Sequence, residues 1–248
     1  GHLLSSDERY SLQKCSVTVG YQLSYPDETI SQLSPQECTK LKREGLYICM
    51  IKNPNPVAKN VTPQLSDAAF IREKVPMTKE EIRHVSICKL HLKSDSVFYD
   101  VGSGTGSIAV EAASLSDDME VYAIEQKENA VQLIMQNKEK HGLENIHVIN
   151  AKAPDGMDNL PVPTHAFIGG SGGNLKEIIE ALKAKNPHIR IVINAISMET
   201  ICEIKEILSA YDVKNEDIVQ LQVSRSKQIG HYHLMQAENP VWICSFEF

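Results

Sequence analysis

The sequence lacks several features that would point to a metal, a redox pair or a membrane. Its six cysteines include no C-x-x-C pair, which argues against a zinc site or a redox dithiol. No stretch approaches the roughly 18 consecutive apolar residues of a membrane-spanning helix. The N-terminal GHLLSSDERY has no apolar signal core. We therefore predict a soluble, cytoplasmic protein with no metal and no membrane partner. The cysteines, predicted to be free thiols, are Cys15, Cys38, Cys49, Cys88, Cys202 and Cys244.

Positive charge is also scarce. The 248 residues include 25 lysines and arginines against 32 aspartates and glutamates, which leaves a net charge of −7. Such a field repels nucleic acid and anionic membranes, so we predict no nucleic-acid partner. The apolar fraction of 42% is enough for a sizeable core, which excludes a disordered chain.

Strands and helices alternate through residues 60–248. Each predicted strand is a short apolar run rich in β-branched residues, and the alternation indicates a mostly parallel sheet covered on both faces. The last two strands are separated by SRSKQIGHYHLMQAENP, which has no helical period, so we expect an antiparallel pair with a long loop at one edge. This pattern is typical of the seven-stranded, doubly wound, Rossmann-like α/β fold of class I methyltransferases. Strands are predicted at 97–101, 120–124, 146–150, 165–169, 189–194, 217–223 and 241–247, and helices at 107–115, 127–141, 174–185 and 198–210.

A further helix is predicted upstream of this pattern. Thr78 and Glu81 have the spacing of a capping box, which predicts a helix from there to Leu90. Before it, VTVGYQLSYPDETI and LYICMIKNPNP resemble two strands but do not supply a complete sheet. We predict a small α+β fragment at 1–56, a linker at 57–65 within the proline-rich NPNPVAKNVTP, and the main domain at 66–248.

The stretch YDVGSGTGS follows the first strand of the main domain directly. In a doubly wound sheet this turn passes beneath the bound cofactor, where a Cβ would hold the backbone away. The spacing is G-x-G-x-G, one residue tighter than the dinucleotide fingerprint, and it favours S-adenosylmethionine. The predicted cofactor-binding residues of this loop are Asp100, Gly102, Ser103, Gly104, Thr105 and Gly106.

Two further stretches follow later strands. Glu125 ends the second strand, 19 positions after Gly106, where a carboxylate accepts hydrogen bonds from the ribose hydroxyls. FIGGSGGNL ends the fourth strand and has four glycines and a serine. It presents bare amides to an anionic or bulky ligand, or it is an ordinary helix-capping turn. The predicted substrate-binding residues of this stretch are Gly169, Gly170, Ser171, Gly172 and Gly173.

These motifs together resemble the decarboxylating precorrin methyltransferases of cobalamin biosynthesis. The resemblance rests on VPMTKEEIR, DVGSGTGSIAVEAA, VYAIE, AKAPDGM, FIGGSGGNL, NAISMET and SRSKQIG…QAENPVWI, in this order over residues 66–248. VGYQLSYPDETI resembles the C-terminal part of the C5-methylating tetrapyrrole methylase that precedes this domain in precorrin-6Y C5,15-methyltransferases. The resemblance therefore implies that the chain is a piece of a longer fusion.

The resemblance implies methylation of C15 of a precorrin-6Y or precorrin-6B type tetrapyrrole, with loss of carbon dioxide from the acetate of ring C. It implies S-adenosylmethionine as cofactor, S-adenosylhomocysteine as product, and a homo-oligomer, with a tetramer as the expected form. It also assigns cofactor contacts to Thr78 and Ala153. The sequence departs from the family's G-D-A-P motif, because Ala151 and Lys152 stand in place of its glycine and aspartate.

Substrate carboxylates and a proton donor need further side chains. Arg225 is the preferred anchor for the acetate and propionate arms, because the planar guanidinium donates two parallel hydrogen bonds. His231, His233 and Glu199 are the predicted catalytic residues, as donors of a proton after decarboxylation. Two alternatives stay open at this stage: a methyltransferase acting on RNA or protein, and a non-catalytic module that docks the upstream methylase.

Overall fold

The computed structural model describes residues 15–38, 40–42, 44–54 and 62–248. They form two compact units, one within residues 1–58 and one within residues 59–248. Residues 57–61 of the predicted linker lie outside the described residues. The division into a methylase fragment, a linker and a catalytic domain stays a prediction.

The first unit is a three-stranded antiparallel sheet. Its strands are β1 (Ser16–Tyr21), β2 (Thr29–Leu33) and β3 (Tyr47–Lys52), in the order β2-β1-β3, with one short helix, α1 (Pro35–Cys38). Sequence reasoning predicted two strands and missed β2. VTVGYQLSYPDETI is a hairpin that turns back after Tyr21, not a single strand. Since β2 is exposed along most of its length, it has no apolar alternation that would mark it.

The second unit contains the predicted seven-stranded sheet. The strands are β4 (Val97–Val101), β5 (Glu120–Glu125), β6 (Ile146–Asn150), β7 (His165–Ile168), β8 (Arg190–Ala195), β9 (Lys214–Leu221) and, after two strands described below, β12 (Val241–Glu247). Their order is β6-β5-β4-β7-β8-β12-β9. Only β12 runs against its neighbours, and it pairs with both β8 and β9. The predicted α/β fold and the antiparallel edge pair are confirmed.

Helices cover both faces of this sheet. On the central strand β4, Tyr99 and Val101 enter the apolar cluster shared with the helices at 175–185 and 198–210, whereas Phe98 enters the cluster shared with the helices at 80–90, 107–113 and 128–140. This alternation follows from the two-residue period of a strand. Among the helices that the structure describes, none has both the length and the apolar character needed to cross a membrane. The helices are α2 (Glu80–Leu90), α3 (Ser107–Ala113), α4 (Glu128–Lys140), α5 (Leu175–Lys185) and α6 (Met198–Ala210).

The predicted capping box at the start of α2 is wrong. The helix begins at Glu80, and its N-cap residue is Lys79, which makes no side-chain capping bond. The Thr78 carbonyl instead accepts a hydrogen bond from Nη1 of Arg83 at 2.8 Å. Glu81 pairs with Arg225, far away in sequence. The long-range ion pair thus occupies the Glu81 carboxylate that the capping box would use, and the helix begins one residue later than the motif predicts.

The long loop between β9 and β12 contains a sheet of its own. Strands β10 (Ser224–Ile229) and β11 (Tyr232–Ala237) form a separate two-stranded antiparallel ribbon. Nearly all of its side chains are exposed, so its sequence shows no buried face and reads as a polar loop. The predicted helix-free connection is confirmed, while the ribbon itself was missed.

Candidate active site

A cavity of about 590 Å³ opens at the carboxyl ends of the parallel strands. It lies where the chain order reverses around β4, with β5 on one side and β7 on the other, which is the place where doubly wound sheets bind their ligands. Its volume is within the range of small-molecule sites, about 300–1,000 Å³. The lining comes from segments 75–79, 102–104, 124–127, 151–153 and 169–172, together with Ile82, Val101, Ala130, Asn194, Ile196, Val223, Glu238, Asn239 and Val241.

The glycine loop after β4 forms one wall. Gly102, Gly104 and Gly106 have φ values of +70°, +59° and +77°, in the left-handed region that favours glycine. A Cβ on Gly102 would lie 2.4 Å from the carbonyl oxygen of Gly170. Gly106 is the N-cap of α3 and packs against Ile134, so it does not line the cavity. Glycine is favoured at this position because a Cβ would lie 3.1 Å from Ile134 and because the φ is positive.

Asp100 supports this loop from behind and does not line the cavity. Its Oδ2 accepts hydrogen bonds from Ser103 Oγ at 2.5 Å and from the Ala109 amide at 3.1 Å. Its Oδ1 is buried without a hydrogen-bond partner in the described part of the chain. Burial raises the pKa of this carboxyl to about 7, although its two hydrogen bonds act in the opposite direction. Thr105 is also buried and outside the lining.

Glu125 stands at the end of β5 with its carboxylate on the cavity wall. Oε2 accepts a hydrogen bond from the Gly104 amide, and Oε1 accepts one from the Lys127 amide, both at 2.9 Å. These bonds fix the carboxylate, and each oxygen keeps the capacity for one more donor. Two fixed oxygens beside Gly102 and Gly104, which have no side chain, suit the two hydroxyls of a ribose. Thr78, Ser103 and Ala153, which were also predicted to bind the cofactor, line the same cavity.

The glycine-rich segment after β7 also lines the cavity and borders the glycine loop, since Gly170 lies against Gly102. Gly169, Gly170, Ser171 and Gly172 line the cavity, and Gly173 does not. The Asn174 amide donates to the Ser171 carbonyl at 3.1 Å, so the segment does make a turn before α5. It is therefore both a turn and a cavity wall.

Arg225 is not available as a free anchor, contrary to the sequence prediction. On β10 it pairs with Glu81, with Glu238 at 3.3 Å and with Asp67 at 3.7 Å, and it does not line the cavity. His231 and His233 lie on the exposed β10–β11 ribbon, and Glu199 is exposed in the first turn of α6. None of these three lines the cavity as the structure describes it.

Sequence reasoning missed other parts of the lining. Asn194, at the end of β8, donates through Nδ2 to Ser86 Oγ at 2.9 Å and faces the cavity. Asn194 could have been predicted as a site residue from the sequence, because doubly wound folds bind ligands at the carboxyl ends of their parallel strands. Glu238 and Asn239 gave no such signal, since the ribbon that carries them to the cavity was not predicted.

The sequence model described as "Precorrin methyltransferase domain" matches residues 68–247. The chain belongs to the precorrin methyltransferase family. The matched residues contain the whole seven-stranded sheet and nearly the whole cavity lining, so the resemblance inferred from the motifs is confirmed for this unit. The chain is therefore a methyltransferase of this fold.

Named relatives agree with this assignment. The probable cobalt-precorrin-6B C(15)-methyltransferase (decarboxylating) of Pyrobaculum calidifontis is 37% identical over 185 residues, which are 73% of this chain and 94% of that protein. The solved precorrin-6Y C5,15-methyltransferase of Geobacter metallireducens has a TM-score of 0.71 and 32% identity, over 77% of this chain and all of that one. A solved precorrin 8W decarboxylase of Methanobacterium thermoautotrophicum has a TM-score of 0.69 and 32% identity, over 73% and 98%.

Proposed function

We propose that this chain methylates C15 of a precorrin from S-adenosylmethionine and removes the ring C acetate carboxyl as carbon dioxide, in cobalamin biosynthesis. The observation that carries the proposal is a single cavity with two different walls. One wall joins the glycine loop to the fixed carboxylate of Glu125, and the other is the open segment 169–172. Family membership and the names of the relatives support the choice of a precorrin over RNA or protein.

The residues of the first wall fit S-adenosylmethionine. Glu125 would bind the ribose, and Gly102, Ser103 and Gly104 would pass beneath the amino-acid tail, with Thr78 and Ala153 closing the site. Asp100, Thr105 and Gly106 would support the loop from behind. When bound, the sulfonium supplies an electrophilic methyl group. The chain's own contribution is to hold that methyl in line with the substrate carbon, at about 3 to 3.5 Å.

The substrate needs little acid–base help from the protein. C15 of a reduced tetrapyrrole is enamine-like and already nucleophilic, so the new carbon–carbon bond depends mainly on orientation. In the decarboxylation, the bond to the carboxyl carbon breaks, its electron pair enters the conjugated macrocycle, carbon dioxide leaves, and a proton is added to the acetate carbon. His231, His233 and Glu199 are left out of the proposed site because they lie outside the cavity lining.

We also propose that the protein is a homo-oligomer. Ile229, Tyr232, Leu234 and Met235 on the β10–β11 ribbon are each more than half exposed. A two-stranded ribbon with an apolar surface gains stability by packing against another surface. Light scattering of the purified chain should therefore show a multimer, and the double variant L234S/M235S should shift it towards the monomer. A wild-type monomer at tens of micromolar would contradict this assembly.

Mass spectrometry tests the enzymatic proposal. The protein is incubated without oxygen with cobalt-precorrin-6B and S-adenosylmethionine, and in parallel with precorrin-6B lacking cobalt. The expected product has gained one methyl group and lost one carbon dioxide. A parallel incubation of bulk RNA with labelled S-adenosylmethionine tests the main alternative, a methyltransferase that acts on RNA. Label in RNA, with no change in either tetrapyrrole, would overturn the proposal.

A further inference from the structure

The cavity lining contains three lysines and two carboxylates, and most of them are already occupied. Lys79 lies 3.8 Å from an Asp67 oxygen, and Glu238 is paired with Arg225. Glu125 accepts two backbone amides, and its remaining acceptor capacity is assigned to the ribose. Lys127 and Lys152 remain. In the described part of the chain, no carboxylate oxygen lies within 4.0 Å of either ammonium group, so each can serve a ligand.

The two lysines have different neighbours in the cavity lining. Lys127 is the N-cap of α4, and its backbone amide is bonded to Glu125, so it belongs to the proposed ribose side. Lys152 follows β6 and reaches the glycine-rich segment after β7. Its Cε lies 3.7 Å from the point where a Cβ on Gly172 would be. Lys152 is therefore a free cation on the lining beside the proposed substrate wall.

The backbone around Lys152 holds the loops after β6 and β7 together. Asn174 Nδ2 donates to the carbonyl of Ala153 at 3.2 Å, which ties the residue after Lys152 to the residue before α5. Gly172 has a φ of +59°, and the Gln126 side chain is also close to it, with Nε2 at 3.5 Å from the Cβ position. A Cβ at 172 would make ordinary van der Waals contact with both side chains, and the positive φ is what favours glycine there. The aliphatic part of the Lys152 side chain thus lies beside backbone that has no side chain at position 172.

We propose that Lys152 binds a peripheral carboxylate of the tetrapyrrole substrate. This inference rests on the proposed function and deepens it, because it names the group on the protein that recognises an acetate or propionate arm. The Lys152 side chain is exposed, so its ammonium group can reach an anion that enters the cavity, and their attraction is weakened by salt. Since the chain has a net charge of −7, a polyanionic ligand needs such a local cation to approach.

The test compares Lys152→Ala with Lys152→Arg and with Lys176→Ala. Lys176 lies in the first turn of α5, outside the cavity lining, so its substitution removes the same charge close by. We expect Lys152→Ala to raise the KM for cobalt-precorrin-6B about 10-fold, as for loss of one charged hydrogen bond, with little change in kcat. Lys152→Arg should restore most of the affinity, and Lys176→Ala should match the wild type.

Two further readouts separate substrate binding from other roles. The Kd of S-adenosylhomocysteine, measured by calorimetry, should be the same in the wild type and in Lys152→Ala. The KM of the wild type should rise more steeply with salt than that of Lys152→Ala, because one ionic contact is missing from the variant.

Each contrary outcome has a distinct meaning. An active wild type with an unchanged KM in Lys152→Ala would overturn the assignment of Lys152 alone. A weaker Kd for S-adenosylhomocysteine with an unchanged KM would place the lysine on the cofactor and would also overturn it. A wild type that transforms neither tetrapyrrole would overturn the proposed function, and the role of Lys152 would fall with it.

Discussion

The loop 102–106 and the segment 169–173 are both rich in glycine and both follow a parallel strand, but their glycines serve different purposes. In the first loop, a Cβ on Gly102 would strike the backbone of Gly170, and one on Gly106 would press on Ile134. In the second, a Cβ on Gly170 or Gly173 would meet no described atom within 4 Å. Glycine is therefore a packing requirement at Gly102 and Gly106, whereas Gly170 and Gly173 border open space; Gly169, with Phe167 at 2.9 Å from its Cβ position, resembles the first loop.

The largest expected effect is that of Gly102→Ala. The new Cβ would lie 2.4 Å from a backbone oxygen, and the residue would keep a φ of +70°. Overpacking and backbone strain together should cost about 3 kcal/mol of stability. We expect binding of S-adenosylhomocysteine to weaken more than 100-fold, as measured by calorimetry, together with a lower Tm. A variant that bound normally would show that the loop is not rigid.

Glu125→Gln should have the next largest effect. The amide group would turn an NH₂ towards one of the two backbone N–H donors, at Gly104 or Lys127, and would bind a ribose less well. The expected loss of cofactor affinity is about 10- to 100-fold, as for one charged hydrogen bond. Glu128→Gln is the control, since Glu128 is exposed and outside the lining. Equal Kd values for the two variants would contradict the role of Glu125.

The stability of the protein should depend on pH through Asp100, the buried carboxyl that supports the loop 102–106. Asp100 has a pKa raised by burial to about 7 against an ordinary value of 3.8, so the folded state binds its proton more tightly than the unfolded state. Its contribution to stability is fully present below about pH 4 and is lost as the pH rises to about 7. Asp100→Asn should remove this loss.

The measurement is urea denaturation of both proteins across that pH range. The stability of the wild type relative to Asp100→Asn should fall as the pH rises. His165 contributes a slope of opposite sign, because burial lowers its pKa to about 4, but it is present in both proteins and cancels in the difference. A constant difference would mean that Asp100 does not titrate in this range.

Gly170→Ala should have the smallest effect and is the matched partner of Gly102→Ala. Its Cβ would enter open space, and the φ of Gly170 is not in the left-handed region. The free energy of unfolding should change by less than about 0.5 kcal/mol. The Kd of S-adenosylhomocysteine should stay within about two-fold, a difference of roughly 0.4 kcal/mol. A large loss of stability would remove the contrast between the two loops.

Sequence reasoning was strongest where local pattern and tertiary structure agree. The strand β4 was predicted with its observed ends, because an apolar run stops at a glycine turn. The strands β2, β10 and β11 were missed because they are largely exposed and carry no buried face.

The prediction of site residues was most accurate where their spacing along the sequence forms a recognisable motif. Gly102, Gly104 and Glu125 follow from spacing along the chain and line one cavity. Arg225 could not be judged in this way, because its partner Glu81 lies 144 positions away. The expected capping partner Glu81 is the same residue that pairs with Arg225, so the absence of a capping box could not be predicted from the sequence around Thr78. Pairings over long distances in the chain are not encoded in any local motif.

A crystal structure with S-adenosylhomocysteine tests the central claim most directly. The account predicts both ribose hydroxyls within hydrogen-bonding distance of the Glu125 carboxylate, with the amino-acid tail over Gly102 and Gly104 and the sulfur facing the segment 169–172. A ligand bound outside this cavity, or with its ribose away from Glu125, would contradict the account.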